Sequence, residues 1–357
     1  MKRRFVVLDA LRGTAAMAVV AYHAGIALNL RGLLTVKANP AVDLFFSISG
    51  FVLAFAHDAD IVDGKLTAIP FLVARWLRFS PILLLGSALG LAAILFDPAD
   101  YPTIYDNVEN VSSFSSLLAI LSVFLIPIAL KSQLLFVNNV YWSLCAELVV
   151  NFAYALQAKF LKRDYLYLIW LSSAVLLAFF FVLFRSIQIV PETPLGSVGS
   201  LLRAFASFFA GVCVFRLWQA GFRAPPVNPW ILIATASLPF MFPYSATWFK
   251  VPFDAVFILL IYPAVVWFAA SSTAPRFENW FSIIGEGSFA LYATHLPLLY
   301  FAKQPFVDAP TTIKLLFVAA FIVAMAALSI ATAIFFERPA RATIRRLFKR
   351  RQGEFAK

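Results

Sequence analysis

The chain has 357 residues, of which 62% are apolar and only 13% are charged, whereas a soluble domain is about half apolar and a quarter charged. Surface-to-volume scaling gives a soluble fold no core large enough to bury that surplus, and runs of about 20 apolar residues are typical of membrane-spanning helices. The composition therefore excludes a soluble protein and predicts an all-α, polytopic membrane protein.

The net charge of +11 is concentrated in clusters at the ends of apolar runs, beginning at Lys2, Lys159 and Arg341. The positive-inside rule makes such clusters cytoplasmic anchors that face membrane lipids. No folded basic domain accompanies them, so we expect no nucleic-acid partner. The two cysteines, Cys145 and Cys213, form neither a disulfide framework nor a metal-ligand spacing, and we expect no metal.

Eleven apolar stretches follow one another along the chain, and both ends are basic, which requires an even number of crossings. The charge balance is best when 114–130 does not cross, because the cluster at 159–163 then falls on the cytoplasmic side. We therefore predict about ten transmembrane helices, with 114–130 as a re-entrant or surface segment and an external acidic loop at 97–109. The stretches are 5–28, 41–57, 71–96, 114–130, 139–160, 165–186, 198–219, 229–246, 251–271, 280–302 and 313–336.

The first stretch carries three polar residues on one helix face. Asp9 and Arg12 are three residues apart, and His23 lies eleven residues beyond Arg12, a spacing that returns to nearly the same face. Since a charge inside a membrane costs about 2.5–3.5 kcal/mol, this alignment indicates a hydrated site between helices. A structural hydrogen bond of His23 to another helix is the alternative.

Further polar residues are expected at the depth of His23, in the outer half of the membrane. Asp43 begins the second stretch, near the small residue Ser49, for which packing is the alternative role. Glu147 follows Trp142 near the predicted outer start of the fifth stretch, where it could instead be an interfacial group. His295 is a second histidine in a predicted outer half.

Arg75 and Arg78 stand three residues apart at the predicted inner start of the third stretch. They share a helix face, and two guanidiniums can make forked hydrogen bonds to phosphate oxygens. Anchoring to lipid head groups is the alternative.

Six motifs occur in an order that resembles the integral-membrane acyltransferase 3 family over about residues 4–345. Two positions depart from the family pattern: Ala10 replaces a common glycine, and apolar residues follow Glu147 where a second carboxylate is usual. The motifs are Leu8-Asp-Ala-Leu-Arg-Gly13 followed by His23, Val42 to Phe51, Arg75-Trp-Leu-Arg78, Trp142-Ser-Leu-Cys-Ala-Glu147, Gly287 to His295, and Phe336-Glu-Arg-Pro339.

The resemblance implies a membrane O-acyltransferase with about ten core helices in the bacterial cytoplasmic (inner) membrane, with both termini cytoplasmic. Such proteins move an acyl group, often acetyl, from acyl-CoA to hydroxyls of extracytoplasmic carbohydrates such as lipopolysaccharide or exopolysaccharide. His23 matches the essential histidine of the family, Arg75 and Arg78 its R-x-x-R pair, Arg12 the arginine of its first motif, and Glu147 its carboxylate. The expected domains are residues 1–345 and a basic cytoplasmic tail at 346–357.

These residues suggest a mechanism. Acyl-CoA is the donor substrate, with its phosphates on Arg75 and Arg78 and help from Arg12, and His23 is the general base. A carboxylate, Glu147 or Asp43, orients the imidazole. The supporting residues are His295, Ser49 and Trp142.

Three alternatives stay open on the sequence alone. The acyl group could pass directly to a carbohydrate or glycolipid acceptor, or first to the protein. The buried charges could instead serve a proton-coupled transporter or flippase without acyl transfer. A non-catalytic assembly subunit is the third reading.

Overall fold

The computed structural model describes residues 4–30, 39–96, 111–130, 133–157, 163–184, 194–241, 247–344 and 346. The predicted acidic loop at 97–109, the basic cluster at 159–162 and the end of the tail lie outside these residues. The described elements are α1 (Val6–Ala27), α2 (Asn39–Val62), α3 (Ala68–Phe96), α4 (Val111–Val123), β1 (Ile128–Leu130), β2 (Gln133–Leu135), α5 (Tyr141–Gln157), α6 (Arg163–Phe184), α7 (Pro194–Gln219), α8 (Pro229–Met241), α9 (Thr247–Val256), α10 (Tyr262–Ser271), α11 (Glu278–Lys303) and α12 (Thr311–Thr332).

Each predicted apolar stretch contains helix, and the chain is a multi-pass membrane protein of the all-α class. π-helical segments at Phe257–Ile261 and Ala333–Glu337 connect α9 to α10 and extend α12. Within the described residues, six helices are long and apolar enough to cross a membrane by length and composition. A total of ten crossings stays a prediction. The six spans are Val6–Ala27, Asn39–Val62, Ala68–Phe96, Gly196–Gln219, Pro252–Ser271 and Thr311–Ile344.

The fourth stretch contains a short helix and the first of two paired β-strands. α4 has 13 residues, a length of about 20 Å, whereas the hydrocarbon core is about 30 Å thick. Leu125 has a left-handed φ of 57°, and β1 pairs antiparallel with β2, with Ile128 opposite Leu135. Trp76 of α3 stacks on Phe124 and donates its indole N–H to the Val123 carbonyl at 3.0 Å. This geometry suits a segment that does not cross, although the sequence did not predict the two strands.

The crossing of α2 and α7 in the core depends on two glycines. Gly50 of α2 faces the backbone of Phe208, and Gly211 of α7 faces the backbone of Ser47. A Cβ at either glycine would overlap the backbone of the facing helix, so only glycine permits this approach. Close packing of the second stretch, which the sequence analysis raised as an alternative role at Ser49, is found at Gly50.

Pro297 lies inside α11, two residues after the predicted site residue His295. Pro297 has no N–H and therefore cannot bond the carbonyl of Ala293 within the helix. Asn138 fills this gap, because its side-chain amide donates to the Ala293 carbonyl at 2.7 Å. The helix thus continues through Pro297 with its released carbonyl satisfied, and His295 lies on this anchored turn.

Candidate functional site

A cavity of about 660 Å³ lies among α1, α2, α3, α5, α11 and the segment that follows α12. Its lining includes six arginines and four carboxylates, which we call the arginine cluster. Apolar side chains such as Phe45, Phe79 and Phe289 line other parts of the same cavity. One space therefore offers cationic and apolar surfaces together. The arginine cluster comprises Arg4, Arg12, Arg75, Arg78, Arg338, Arg341, Asp9, Glu147, Glu286 and Glu337.

Arg75 is held in place from two sides. One guanidinium nitrogen, Nη2, donates to Oε1 of Glu147 at 2.9 Å, and the group lies over the ring of Phe79 at 4.9 Å. Ser49 donates to the same Glu147 oxygen at 2.7 Å. The predicted residues Ser49, Arg75 and Glu147 therefore form one contact chain across three helices.

Glu147 is the seventh of the 17 residues of α5, and it accepts from Arg75 of α3. The sequence placed Glu147 near the outer start of the fifth stretch and Arg75 at the inner start of the third, and it did not predict this pair. The depth of Glu147 in the membrane stays a prediction.

Three arginines of the arginine cluster have N–H groups available for hydrogen bonds to an anion. Among the described residues, the Arg78 guanidinium makes no hydrogen bond or ion pair, and its side chain is exposed to the cavity. Nε of Arg75 is buried without a hydrogen-bond partner among those residues. Among the same residues, Arg12 has one ion pair, between its Nη1 and Oδ1 of Asp9 at 3.7 Å. Each guanidinium carries five N–H donors, so these three side chains can bind further acceptors.

Both ends of the chain contribute to the cavity. Glu286 of α11 accepts from Arg4 at 3.2 Å, and it also pairs with Arg338. Arg341 pairs with Glu337 and donates to the backbone carbonyl of Arg78 at 3.1 Å. The sequence did not predict Glu286 as a site residue, and it assigned Arg341 to a basic cluster that anchors the chain to the membrane.

His23 and His295 form a pair. Nδ1 of His23 lies 3.0 Å from Nε2 of His295, and the ring centroids are 5.1 Å apart. His295 is fully buried, and its Nδ1 lies 2.8 Å from the carbonyl oxygen of Tyr292 and 3.1 Å from that of Leu291. The sequence predicted both histidines at one depth but did not pair them.

No described carboxylate makes a hydrogen bond to either imidazole ring, in contrast to the expectation that Glu147 or Asp43 orients His23. Asp43 is instead bound to Arg203 and accepts from Ser207 at 3.3 Å. Arg203 also donates to the Asn39 carbonyl at 2.7 Å. Asp43 and Arg203 are 0% and 2% exposed and lie outside the lining of the cavity.

Tyr292 connects the cavity to the histidine pair. Its side chain lines the cavity, contacts Phe45 at a centroid distance of 5.7 Å, and shares a hydrogen bond with Ser143 at 2.7 Å. Its carbonyl bonds His295. Neither histidine is among the residues that line the cavity, and the carbonyl of Tyr292 is the contact that links them to its wall.

Two other positions complete the comparison with the sequence. Trp142 is half-buried against the core and does not line the cavity. His57 of α2, which the sequence analysis did not assign to the site, does line it.

Comparison with known proteins identifies the family of the chain. The family model described as an acyltransferase domain, of the acyltransferase 3 type, matches residues 5–335. Protein 2 in the picA locus of Rhizobium radiobacter is 37% identical over 158 residues, which cover 43% of this chain and 81% of that protein. No solved structure matches the chain. The matched region includes Arg12, His23, Arg75 and Glu147, and the chain belongs to the acyltransferase 3 family of membrane acyltransferases.

Proposed function

We propose that this acyltransferase moves an acetyl group from cytoplasmic acetyl-CoA to a hydroxyl of an extracytoplasmic carbohydrate or glycolipid, in the bacterial inner membrane. One observation carries the proposal: Tyr292 lines the arginine-rich cavity, and its carbonyl bonds His295, which contacts His23. A phosphate-bearing donor can bind at the arginine cluster while its acyl end extends along apolar walls toward a base.

The donor phosphates bind to Arg75 and Arg78, with Arg12 beside them. Arginine suits this task because its planar fork bonds two phosphate oxygens at once. Arg78 has its whole guanidinium free of described side-chain partners, and Arg75 has its Nε. Glu147 and Ser49 position Arg75, which gives Glu147 a part in donor binding.

His23 acts as the general base. Its Nδ1 is engaged by His295, so Nε2 accepts the proton of the acceptor hydroxyl. The hydroxyl oxygen bonds to the thioester carbonyl carbon, the carbon–sulfur bond breaks, and the thiolate of CoA leaves with the electron pair. The proton then passes from His23 to that thiolate, which gives the ester product and free CoA thiol.

The test is acetyl-CoA turnover by the purified protein in detergent with His23→Ala. Removal of a general base costs about 10²–10⁴-fold in rate, so this variant should lose transfer but keep its acetyl-CoA affinity. Thr14→Ala is the matched control, because the Thr14 hydroxyl bonds only the Ala10 carbonyl of its own helix. His23→Ala with more than about a tenth of wild-type activity contradicts the assignment.

The side of the membrane is tested by thiol labelling in a background without Cys145 and Cys213. Ala220 and Asp308 are exposed, in the connections after α7 and α11. We expect an impermeant reagent to label Asp308→Cys from outside and Ala220→Cys only from inside. The reverse pattern would show the opposite orientation of the protein, with the cavity open to the outer face.

The acceptor is tested by mass spectrometry of surface glycans from a strain that lacks the protein. We expect a carbohydrate to lose an acetyl group, with restoration by the wild-type chain and not by His23→Ala. Identical glycans in both strains would contradict a carbohydrate acceptor.

A further inference from the structure

We propose that His295 is a positioning residue that fixes His23 as the Nδ1–H tautomer, so that Nε2 of His23 is free to take the acceptor proton. The inference rests on the proposed role of His23 as the base. It assigns to a neutral histidine the task that a carboxylate performs in other hydrolytic and transfer sites.

The first step concerns the proton on His295. A neutral imidazole has one N–H and one acceptor nitrogen. Nδ1 of His295 lies 2.8 Å and 3.1 Å from two backbone carbonyl oxygens, those of Tyr292 and Leu291. A carbonyl oxygen can only accept, so Nδ1 carries the proton. Nε2 is then an acceptor.

The second step concerns the proton on His23. Its Nδ1 lies 3.0 Å from Nε2 of His295, and two acceptor nitrogens cannot form a hydrogen bond. Nδ1 of His23 must therefore donate. The neutral His23 ring has no second proton, and its Nε2 carries a lone pair.

Burial favours a neutral His295. The ring is 0% exposed, no described carboxylate contacts it, and an unpaired buried cation is strongly unfavourable. When His23 becomes protonated, its Nδ1–H keeps the bond to His295, and the positive charge stays on His23. Asn138 holds the carbonyl of Ala293 in the turn beside Pro297. This anchored turn keeps the His295 ring from turning toward another hydrogen-bond partner.

The tautomer can be measured directly. The chain has three histidines, so ¹⁵N-histidine labelling gives few signals, which His57→Gln and His295→Gln variants assign. The spectrum is recorded on the wild type without substrate, at a pH above the range in which imidazoles become cations. Nδ1 of both His23 and His295 should then give the ¹⁵N signal of a protonated nitrogen, and Nε2 of both should give that of an unprotonated nitrogen. A protonated Nε2 on neutral His23 would overturn the proposal.

Kinetics of His295 variants separate positioning from a merely structural role. His295→Leu removes the acceptor and should lower kcat at least tenfold, within the roughly 10²–10⁴-fold that loss of the base costs. The KM for acetyl-CoA should stay unchanged. His295→Gln retains an acceptor oxygen near the former Nε2 and should recover part of kcat. Thr294→Val is the control, because the Thr294 hydroxyl bonds only the Ala290 carbonyl of the same helix.

Three results would overturn the proposal: unchanged kcat in His295→Leu, equal loss in the Leu and Gln variants, or loss of kcat with an unchanged His23 tautomer. If His295→Leu does not fold, the wild-type spectrum and His295→Gln still decide. The spectrum is recorded without substrate, so it does not depend on acyl transfer. Transfer retained in His23→Ala would instead refute the proposed base, whatever the tautomer.

Discussion

The Asp43–Arg203 pair and the arginine cluster, both in the described part of this membrane protein, differ in how completely their charges are paired. The Asp43–Arg203 pair is closed: both side chains are at most 2% exposed, and Ser207 and the Asn39 carbonyl add hydrogen bonds. The arginine cluster is open. It lines a cavity, and Arg78 has no ion pair among the described residues.

This difference teaches how to separate structural charge from functional charge within a membrane. A charge that is costly to bury must be compensated, and Asp43 and Arg203 compensate each other. Arg78 faces a cavity, so the remaining capacity of its guanidinium is directed to a bound anion or water. An intramembrane charge alone therefore does not indicate a site; incomplete pairing at a cavity does.

The largest expected effect comes from breaking the closed pair. Asp43→Ala should destabilise the protein by about 3–5 kcal/mol, because removal of one partner leaves a buried charge uncompensated. Thermal unfolding in detergent measures this change. The double variant Asp43→Leu with Arg203→Met should recover much of the stability. An Asp43→Ala protein with an unchanged Tm but no acyl transfer would place Asp43 among the catalytic groups.

The next effect concerns the open cluster. Arg78→Lys and Arg75→Lys keep the charge but lose the fork. Charge-assisted hydrogen bonds are worth about 1.5–3 kcal/mol, so CoA affinity should fall by roughly 10–150-fold with little change in Tm. Arg276→Lys serves as the control, since Arg276 is exposed outside the cavity. Unchanged CoA affinity in both cavity variants would end the assignment of the donor site.

The smallest effect sharpens the role of Ser49. Ser49→Ala removes the bond to Glu147, while Arg75 still holds that carboxylate. We expect CoA affinity to fall by only about 2–12-fold, the equivalent of about 0.5–1.5 kcal/mol. Ser237→Ala is the control, because the Ser237 hydroxyl bonds only the Ile233 carbonyl of its own helix. An effect as large as that of Arg78→Lys would indicate direct contact between Ser49 and the donor.

The sequence predicted the helices well, because long apolar runs in a membrane leave the backbone few alternatives. It also indicated the same-face placement of Asp9 and Arg12, and the structure pairs them. These predictions depend on neighbours within one helix, where the spacing along the chain determines the geometry.

Contacts between distant helices could not be predicted in this way. Asp43 and Arg203 are 160 residues apart, and His23 and His295 are 272 apart, so no local spacing relates them. The expected carboxylate partner of His23 rested on the usual catalytic pattern, whereas the structure supplies a histidine. The ion pair of Arg75 with Glu147 is equally remote from local spacing, because the two residues are 72 apart in the sequence.

The binding of Glu286 to Arg4 and Arg338 has a consequence for how the protein matures. Arg4 precedes the first helix and Arg338 follows the last long one, yet both meet the same carboxylate. Arg341, still later in the chain, bonds the backbone at Arg78. A ribosome-bound chain that has inserted α1 to α11 therefore has an incomplete cavity wall. The wall of the proposed donor site is complete only after Arg341 has been synthesised, so we expect no donor binding by a chain that stops before α12.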